Sequence, residues 1–331
     1  MDDRIDLLIY IPCWSDYRLA IDQAIRLREQ MARDSEKFNT IKKIGIVISV
    51  NGVAKSELDE NLFAGVVDEI VHYEVGIGGD VNISNGYLKS LQYPSKYFWN
   101  LSTNDIVNDR SLEYLDSVLS ANSPIYVVSK KHQLEESLTI TSTFERRLSG
   151  VEFGLISGVI YSVDALSRHF PQAPKMGWTG WGQLAIIESA AISAGSLSVM
   201  VIPKYKLFNL QNSNRLEKTR EQIRVDYRHS FFGMPILLNI LYYNNRRLRK
   251  KYIKQWLIGA WFQIRFYNNV PKNYTYPPGA VDPGWIQELS HRVVAKNGMT
   301  LRIMYLVGSK IDFDKIRNIK LARQVRRTLK G

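Results

Sequence analysis

Apolar positions in the first half of the chain fall into short unbroken runs, separated by stretches of helical period. Residues 6–12, "DLLIYIP", are continuously apolar, as in a strand buried on both faces of a parallel sheet. "DYRLAIDQAIRLREQMAR" follows with Leu19, Ala20, Ile25 and Leu27 at helical spacing. The same alternation predicts strands over 43–52, 69–75, 96–102 and 124–130, and helices over 83–92 and 110–120. "VIYSV" (159–163) is a further strand-like run. Strands alternating with helices specify a doubly wound, mostly parallel α/β sheet whose ligands collect at the carboxyl ends of the strands. After about residue 205 the period is mostly helical and Lys and Arg become dense. The expected division is therefore an α/β domain over 1–205 and a basic helical C-terminal region over 206–331.

Charge narrows the choice of partners. The 331 residues carry a formal net charge of +12, which favours a polyanionic partner. Nucleic acid, anionic lipid and phosphorylated small molecules all qualify, but no RNA- or DNA-reading motif is present, so nucleic acid is set aside. Cys13 is the single cysteine, which removes an intramolecular disulfide and argues against a cysteine-based metal site. The opening "MDDRIDLLIYIP" has acids where a signal peptide carries its basic region, and the apolar run 231–243 is too short to span a bilayer. A cytoplasmic protein, soluble or lying on a membrane surface, is expected. The stretch 242–267 puts six cations between Arg246 and Lys254 beside Trp256, Leu257, Ile258, Trp261 and Phe262. That is the profile of an interfacial membrane helix, or alternatively of a solvated basic face over a packed aromatic one.

Candidate chemistry sits at the strand tips. "IPCWSD" (11–16) follows the first strand, Asn51-Gly52 ends the second, and "NLSTND" (100–105) ends the fourth. Asn51-Gly52 is also an ordinary turn pair. Between them, Gly76, Gly78 and Gly79 lead into a helix that carries Asn82 and Asn85. A glycine-rich turn entering a helix can hold phosphate through backbone N–H groups, yet the spacing is neither a P-loop nor a dinucleotide fingerprint. Asp105 is the one carboxylate of the fourth tip, and it doubles as a candidate helix cap before "VNDRSLEYL".

Taken in order, "IPCWSDYRLAIDQAI", "VNG", "VGIGGDVNISNGYLKS", "YFWNLSTND", "LISGVIYSVDAL" and "GWTGWGQLA" resemble the nucleotide-sugar-dependent glycosyltransferases of the GT-A fold, the family 2 type of bacterial surface polysaccharide synthesis (O-antigen, lipopolysaccharide) above all. The resemblance covers roughly residues 5–200. It implies a nucleotide-sugar donor held by Pro12, Cys13, Asp16 and Asn51, by Gly78, Asn82 and Asn85, and by Ser102 and Asn104. Family members carry an Asp-x-Asp or Asp-Asp at the fourth tip that binds ribose and a divalent ion bridging the diphosphate. Here Ser102 and Asn104 replace acids and only Asp105 is acidic, so the resemblance implies Asp105 as the ligand of any Mg²⁺ or Mn²⁺, whose use stays open, with cationic side chains as a substitute. Gln183 stands where the family places a carboxylate base. A glutamine cannot accept a proton, which leaves a base from elsewhere (Asp80, Asp109 or Asp164), a retaining mechanism, or a non-catalytic module. Ser157, Gly158, Trp178 and Trp181 are implied on the acceptor side, although the two tryptophans equally suit a core. A polyprenyl-diphosphate-linked glycan acceptor at the inner face of the cell membrane would account for both the tail and the resemblance. A nucleotidyltransferase is disfavoured by the lack of a Gly-rich Lys/Arg signature near the first strand.

Overall fold

A computed structural model describes residues 4–14, 17–144, 153, 156–209, 232–267 and 283–299. The described residues divide into two compact units. The first runs to Gly177 and resumes from Gly182 to residue 209; the second holds Trp178–Trp181 with residues 232–267 and 283–299.

The first unit is built on one eight-stranded sheet. In chain order its elements are β1 (Ile5–Cys13), α1 (Tyr17–Asp34), β2 (Ile44–Asn51), β3 (Glu69–Tyr73), α2 (Gly79–Ser90), β4 (Ser95–Asn100), α3 (Ser111–Leu119), β5 (Ile125–Ser129), β6 (Glu136–Ile140), β7 (Val159–Ser162), α4 (Val163–Leu166), α5 (Gln172–Met176), α6 (Gly182–Ala194), β8 (Leu197–Pro203) and α7 (Lys204–Leu207). The strand order is β3-β2-β1-β4-β7-β5-β8-β6. β7 is antiparallel to both β4 and β5, and β6 is antiparallel to β8. The other six strands point one way, so the tips of β1, β2, β4, β5 and β8 and the start of β7 share one edge. The chain order reverses between β1 and β4, the switch point at whose carboxyl ends an open α/β sheet takes its ligand in a crevice.

Burial on both faces explains the unbroken apolar runs. Leu7, Ile9, Ile11 and Cys13 of β1, with Tyr97 and Trp99 of β4, face a core shared with Ala20, Ala24 and Leu27 of α1 and with Leu112 and Leu115 of α3. On the other face Tyr87 of α2 packs edge-on to Phe98, Tyr161 of β7 and Phe170, in an aromatic cluster whose contacting rings have centroids 5.2–6.0 Å apart. β6 and β8, at residues 136–140 and 197–203, are strands that the hydrophobic pattern did not predict. β6 is an edge strand with alternating exposure, and β8 carries Ser198 in an otherwise apolar run.

α2 lies unusually close to the sheet. A Cβ on Gly86 would come within 2.6 Å of the Tyr10 ring and 2.9 Å of Asn100 Oδ1, so only glycine fits this contact. Gly78, at φ 85°, turns the chain into the helix.

The second unit contains a helical stretch at 232–241, then α8 (Arg246–Tyr267) and α9 (Pro283–Lys296). Tyr252, Ile253, Trp256 and Leu257 of α8 are buried in it, and Tyr242 packs edge-on to Tyr252 at 5.0 Å. Thus the aromatic side of α8 faces a core at Trp256 and Leu257, while Arg246, Arg247, Lys251 and Lys254 are exposed. The side chains of Ile258, Trp261 and Phe262 lie outside the described residues.

Gly86→Ala is expected to cost about 1–3 kcal/mol of stability by overpacking α2 against Tyr10. Urea unfolding of the purified chain measures it, and a loss under about 0.5 kcal/mol would mean that helix and sheet have slack.

Candidate functional site

The crevice floor is held by Asn82. From the first turns of α2 its Oδ1 accepts from Ser49 Oγ at 2.5 Å and from Tyr10 Oη at 3.2 Å, and its Nδ2 donates to Cys13 O at 3.3 Å and Ser49 O at 3.4 Å. Burial holds the Tyr10 phenol well above its ordinary range, so it stays protonated and donates. Asn82 thereby fixes α2 to the tips of β1 and β2. Cys13, buried beside it, donates to Ser49 O at 3.3 Å. Asn85 donates to the Tyr73 hydroxyl at 3.0 Å.

Pro12 sits at the end of β1, opposite Ser49 of β2, and the half-exposed Trp14 follows it. The Trp14 ring lies against Gly52, 3.5 Å from where a Cβ would be. Asp16 lies outside the described residues. Asn51, fully buried at the tip of β2, accepts from Ile77 N at 2.8 Å, which ties it to the glycine turn before α2. Its Nδ2 is buried with no hydrogen-bond partner, a donor that native structures leave unspent only with reason.

The β4 tip is a worked turn. Ser102 Oγ accepts from Asn104 N at 3.2 Å, Ser102 O accepts from Asp105 N at 3.1 Å, and Ser102 N donates to Ser157 Oγ at 2.8 Å. Ser157 thereby joins the start of β7 to the end of β4, with Gly158 buried behind it. Asn104 is exposed and Asp105 partly buried. Asp105 is no helix cap: α3 begins at Ser111 with Arg110 before it. Instead Asp105 Oδ1 is 2.6 Å from Lys204 Nζ, and the two side chains are 26% and 14% exposed.

Three sets of hydrogen bonds immobilise that loop. Gln23 of α1 donates to Asp105 O at 2.7 Å and accepts from Val107 N at 3.2 Å. Gln30, two turns on, donates to Asn108 O at 2.9 Å and accepts from Leu112 N at 3.0 Å. From the other side Val107 bridges Phe208, Asn108 N donates to Leu207 O at 3.0 Å, and Ser111 Oγ donates to Leu207 O at 2.7 Å. The segment after β4 and the segment after β8 are one platform. Gln23, Gln30 and Lys204 are site residues that the sequence motifs did not single out. A glutamine pair seven apart on an otherwise apolar helix face was the available signal.

Gln183 is buried in the first turn of α6. Glu188, five residues on, is fully buried, and its carboxylate accepts from Ser142 Oγ at 3.1 Å, Thr143 N at 2.6 Å and Thr143 Oγ1. It anchors the chain after β6. Asp164 pairs with Arg4 at 2.6 Å at the amino end of β1, the opposite edge of the sheet, and cannot serve this crevice. Asp109 is exposed beside Arg26 on the outer side of α1. Asp80 stands in the first turn of α2, one turn before Ser84, and Ser84 Oγ lies 3.1 Å from a Cβ built on Gly182. Its backbone lies near the turn that leads to α6, with Asp80 O 3.6 Å from a Cβ built on Gly177. Trp178 and Trp181 belong to the second unit, where Trp178 lies against Trp285 at 5.6 Å and Trp181 packs edge-on to Trp256 at 5.4 Å.

The donor set at Asp105 does not fit a bridging divalent ion. The one carboxylate of the tip already holds an ammonium, which a divalent ion bridging to a diphosphate would have to displace.

No protein-family profile matches the chain, and no curated protein matches it in sequence. Solved structures similar to it include S. aureus TarS 1-349, with TM-score 0.44 and 10% identity over 96% of this chain and 93% of that one. The same fragment in complex with UDP-GlcNAc gives 0.43 and 11% over 92% and 91%. Its UDP complex gives 0.37 and 10% over 96% and 93%.

Gln23→Leu would leave Asp105 O and Val107 N without their partner. We expect a loss of about 1–3 kcal/mol and faster hydrogen exchange at Val107 and its neighbours, with the sheet amides unchanged. Unaltered exchange at Val107 would show that the clamp does not hold the loop.

Proposed function

We propose that the chain is a glycosyltransferase that moves a sugar from a nucleotide-sugar donor to a glycan acceptor, lipid-linked or polymeric. The observation that carries this reading is the crevice at the β1/β4 reversal. It is lined by a buried, unpartnered Asn51 Nδ2, a positive-φ glycine turn opening α2, and the polar Ser102–Asp105 tip. Such a crevice is where an open α/β sheet takes a nucleotide. An acceptor atom of the base would satisfy the Asn51 donor, and the start of α2 favours phosphate charge.

Transfer by inversion needs a base for the acceptor hydroxyl, and Gln183 cannot be one. Asp80 takes that role in this proposal, with Gln183 orienting the hydroxyl through its amide. The buried engagement of Glu188 and the place of Asp164 on the far edge favour Asp80 over both. The second reading, a non-catalytic module that binds a nucleotide or glycan within a synthase complex, is favoured by that same glutamine. Release of nucleoside diphosphate from a panel of nucleotide sugars, with a lipid-linked or oligosaccharide acceptor present, separates the two. Asp80→Asn is expected to lower turnover by about 100-fold or more while nucleotide binding persists. Full activity in Asp80→Asn would remove Asp80 from the mechanism, and binding without any transfer would favour the module.

We further propose that the cations of α8 hold the protein on anionic membrane. No helix of the described residues is long and apolar enough to cross a membrane. Tyr243 and Trp285 are among the exposed large side chains of this unit. Each cation near anionic lipid contributes on the order of 1 kcal/mol. Replacing Arg246, Arg247, Lys250 and Lys251 together by Gln should therefore abolish low-salt binding to phosphatidylglycerol vesicles. Unchanged vesicle binding would refute the electrostatic account.

A further inference from the structure

We infer that Lys204, positioned by Asp105, supplies to the nucleoside diphosphate the positive charge that a divalent ion supplies in metal-dependent sites; this rests on the glycosyltransferase reading above. A lysine is seldom so covered unless paired, and Lys204 is 14% exposed, with Nζ 2.6 Å from Asp105 Oδ1 and 5.0 Å from the centre of the Phe208 ring. An ammonium has three donors, and the Asp105 oxygen takes one. The others are left for an anion at the same sheet edge.

The surroundings favour that anion. Lys130 and Lys131 are exposed just past the end of β5, whose Ser129 pairs with Pro203, and the exposed Lys206 follows Lys204. Cations therefore crowd the end of β5 and β8, while Asp105 is already matched. A divalent ion bound to Asp105 would lie within a few ångströms of the Lys204 ammonium and be repelled by it, or would have to displace it from the platform built by Gln23, Asn108 and the Val107–Phe208 bridge. Lys204 stands three strands from β4, roughly 14 Å along the sheet. The loop after β4 and the length of the lysine side chain close that gap, which places the ammonium at the polar tip.

Calorimetric titration of the full chain with UDP, and with uridine as the probe lacking phosphate, tests this. Wild-type protein should bind UDP with the same Kd in EDTA as in MnCl₂, to within about twofold. Lys204→Met should weaken UDP by roughly tenfold to a hundredfold and leave uridine unchanged, and Lys204→Arg should recover part of the loss. A requirement for Mn²⁺ in the wild type, or wild-type UDP affinity in Lys204→Met, would overturn the inference while leaving a nucleotide site in place. If Lys204→Met proves unfolded by its melting curve, the wild-type comparison in EDTA and MnCl₂ decides alone. Absence of binding by uridine and UDP to the wild type, together with no response to the other nucleotides of the panel, would overturn the nucleotide reading itself, and this inference with it.

Discussion

The ion pair between Asp105 and Lys204 joins two tips of the sheet that the chain separates by 99 residues. Neither partner could be so covered alone. A partly buried carboxylate or ammonium without its counter-charge is strongly disfavoured, and removing one member strands the other. The pair ties the loop after β4 to the end of β8, together with the backbone hydrogen bonds between Asn108 and Leu207 and the Val107–Phe208 bridge. The polar tip of β4 is consequently a fixed edge of the crevice and not a free loop.

The opposite wall is fixed by different means. α2 is pressed onto β1 and β4 because Gly86 has no Cβ, and its first turns are tied down by Asn82 reaching across to Ser49, Cys13 and Tyr10. With α2 held by packing and the β4 tip by charge and hydrogen bonds, the buried Asn51 amide, tied to Ile77 N, has little room to shift. Preorganisation of this kind lowers the ordering cost of ligand binding.

Most of the α/β architecture was legible in the residue pattern, because strands buried on both faces leave unbroken apolar runs and α1 shows its face clearly. β6 and β8 escaped because an edge strand and a run interrupted by Ser198 lack that signature. The cost was specific. Without β8 as a strand, Lys204 did not register as a strand tip, although the tips of β1, β2 and β4 were recognised as the places where chemistry collects. Asp105 lies just past the end of β4, as the end of the apolar run indicates, but its partner is 99 residues away, beyond any local signal. The resemblance to glycosyltransferases drew attention to Gln183 and to a metal. It could not indicate that Glu188 is spent on Thr143, or that an ammonium sits where a metal ligand set is expected.

Neutralisation of a diphosphate by a side chain and not by an ion is the central claim of this account, and a crystal structure of the chain with UDP, grown in MnCl₂, tests it most directly. The account predicts a diphosphate oxygen within about 3 Å of Lys204 Nζ, Asp105 still paired with that ammonium, and no manganese anomalous peak between Asp105 and the diphosphate. A manganese ion about 2.2 Å from an Asp105 carboxylate oxygen and bridging to the diphosphate, with Lys204 turned away, would contradict it.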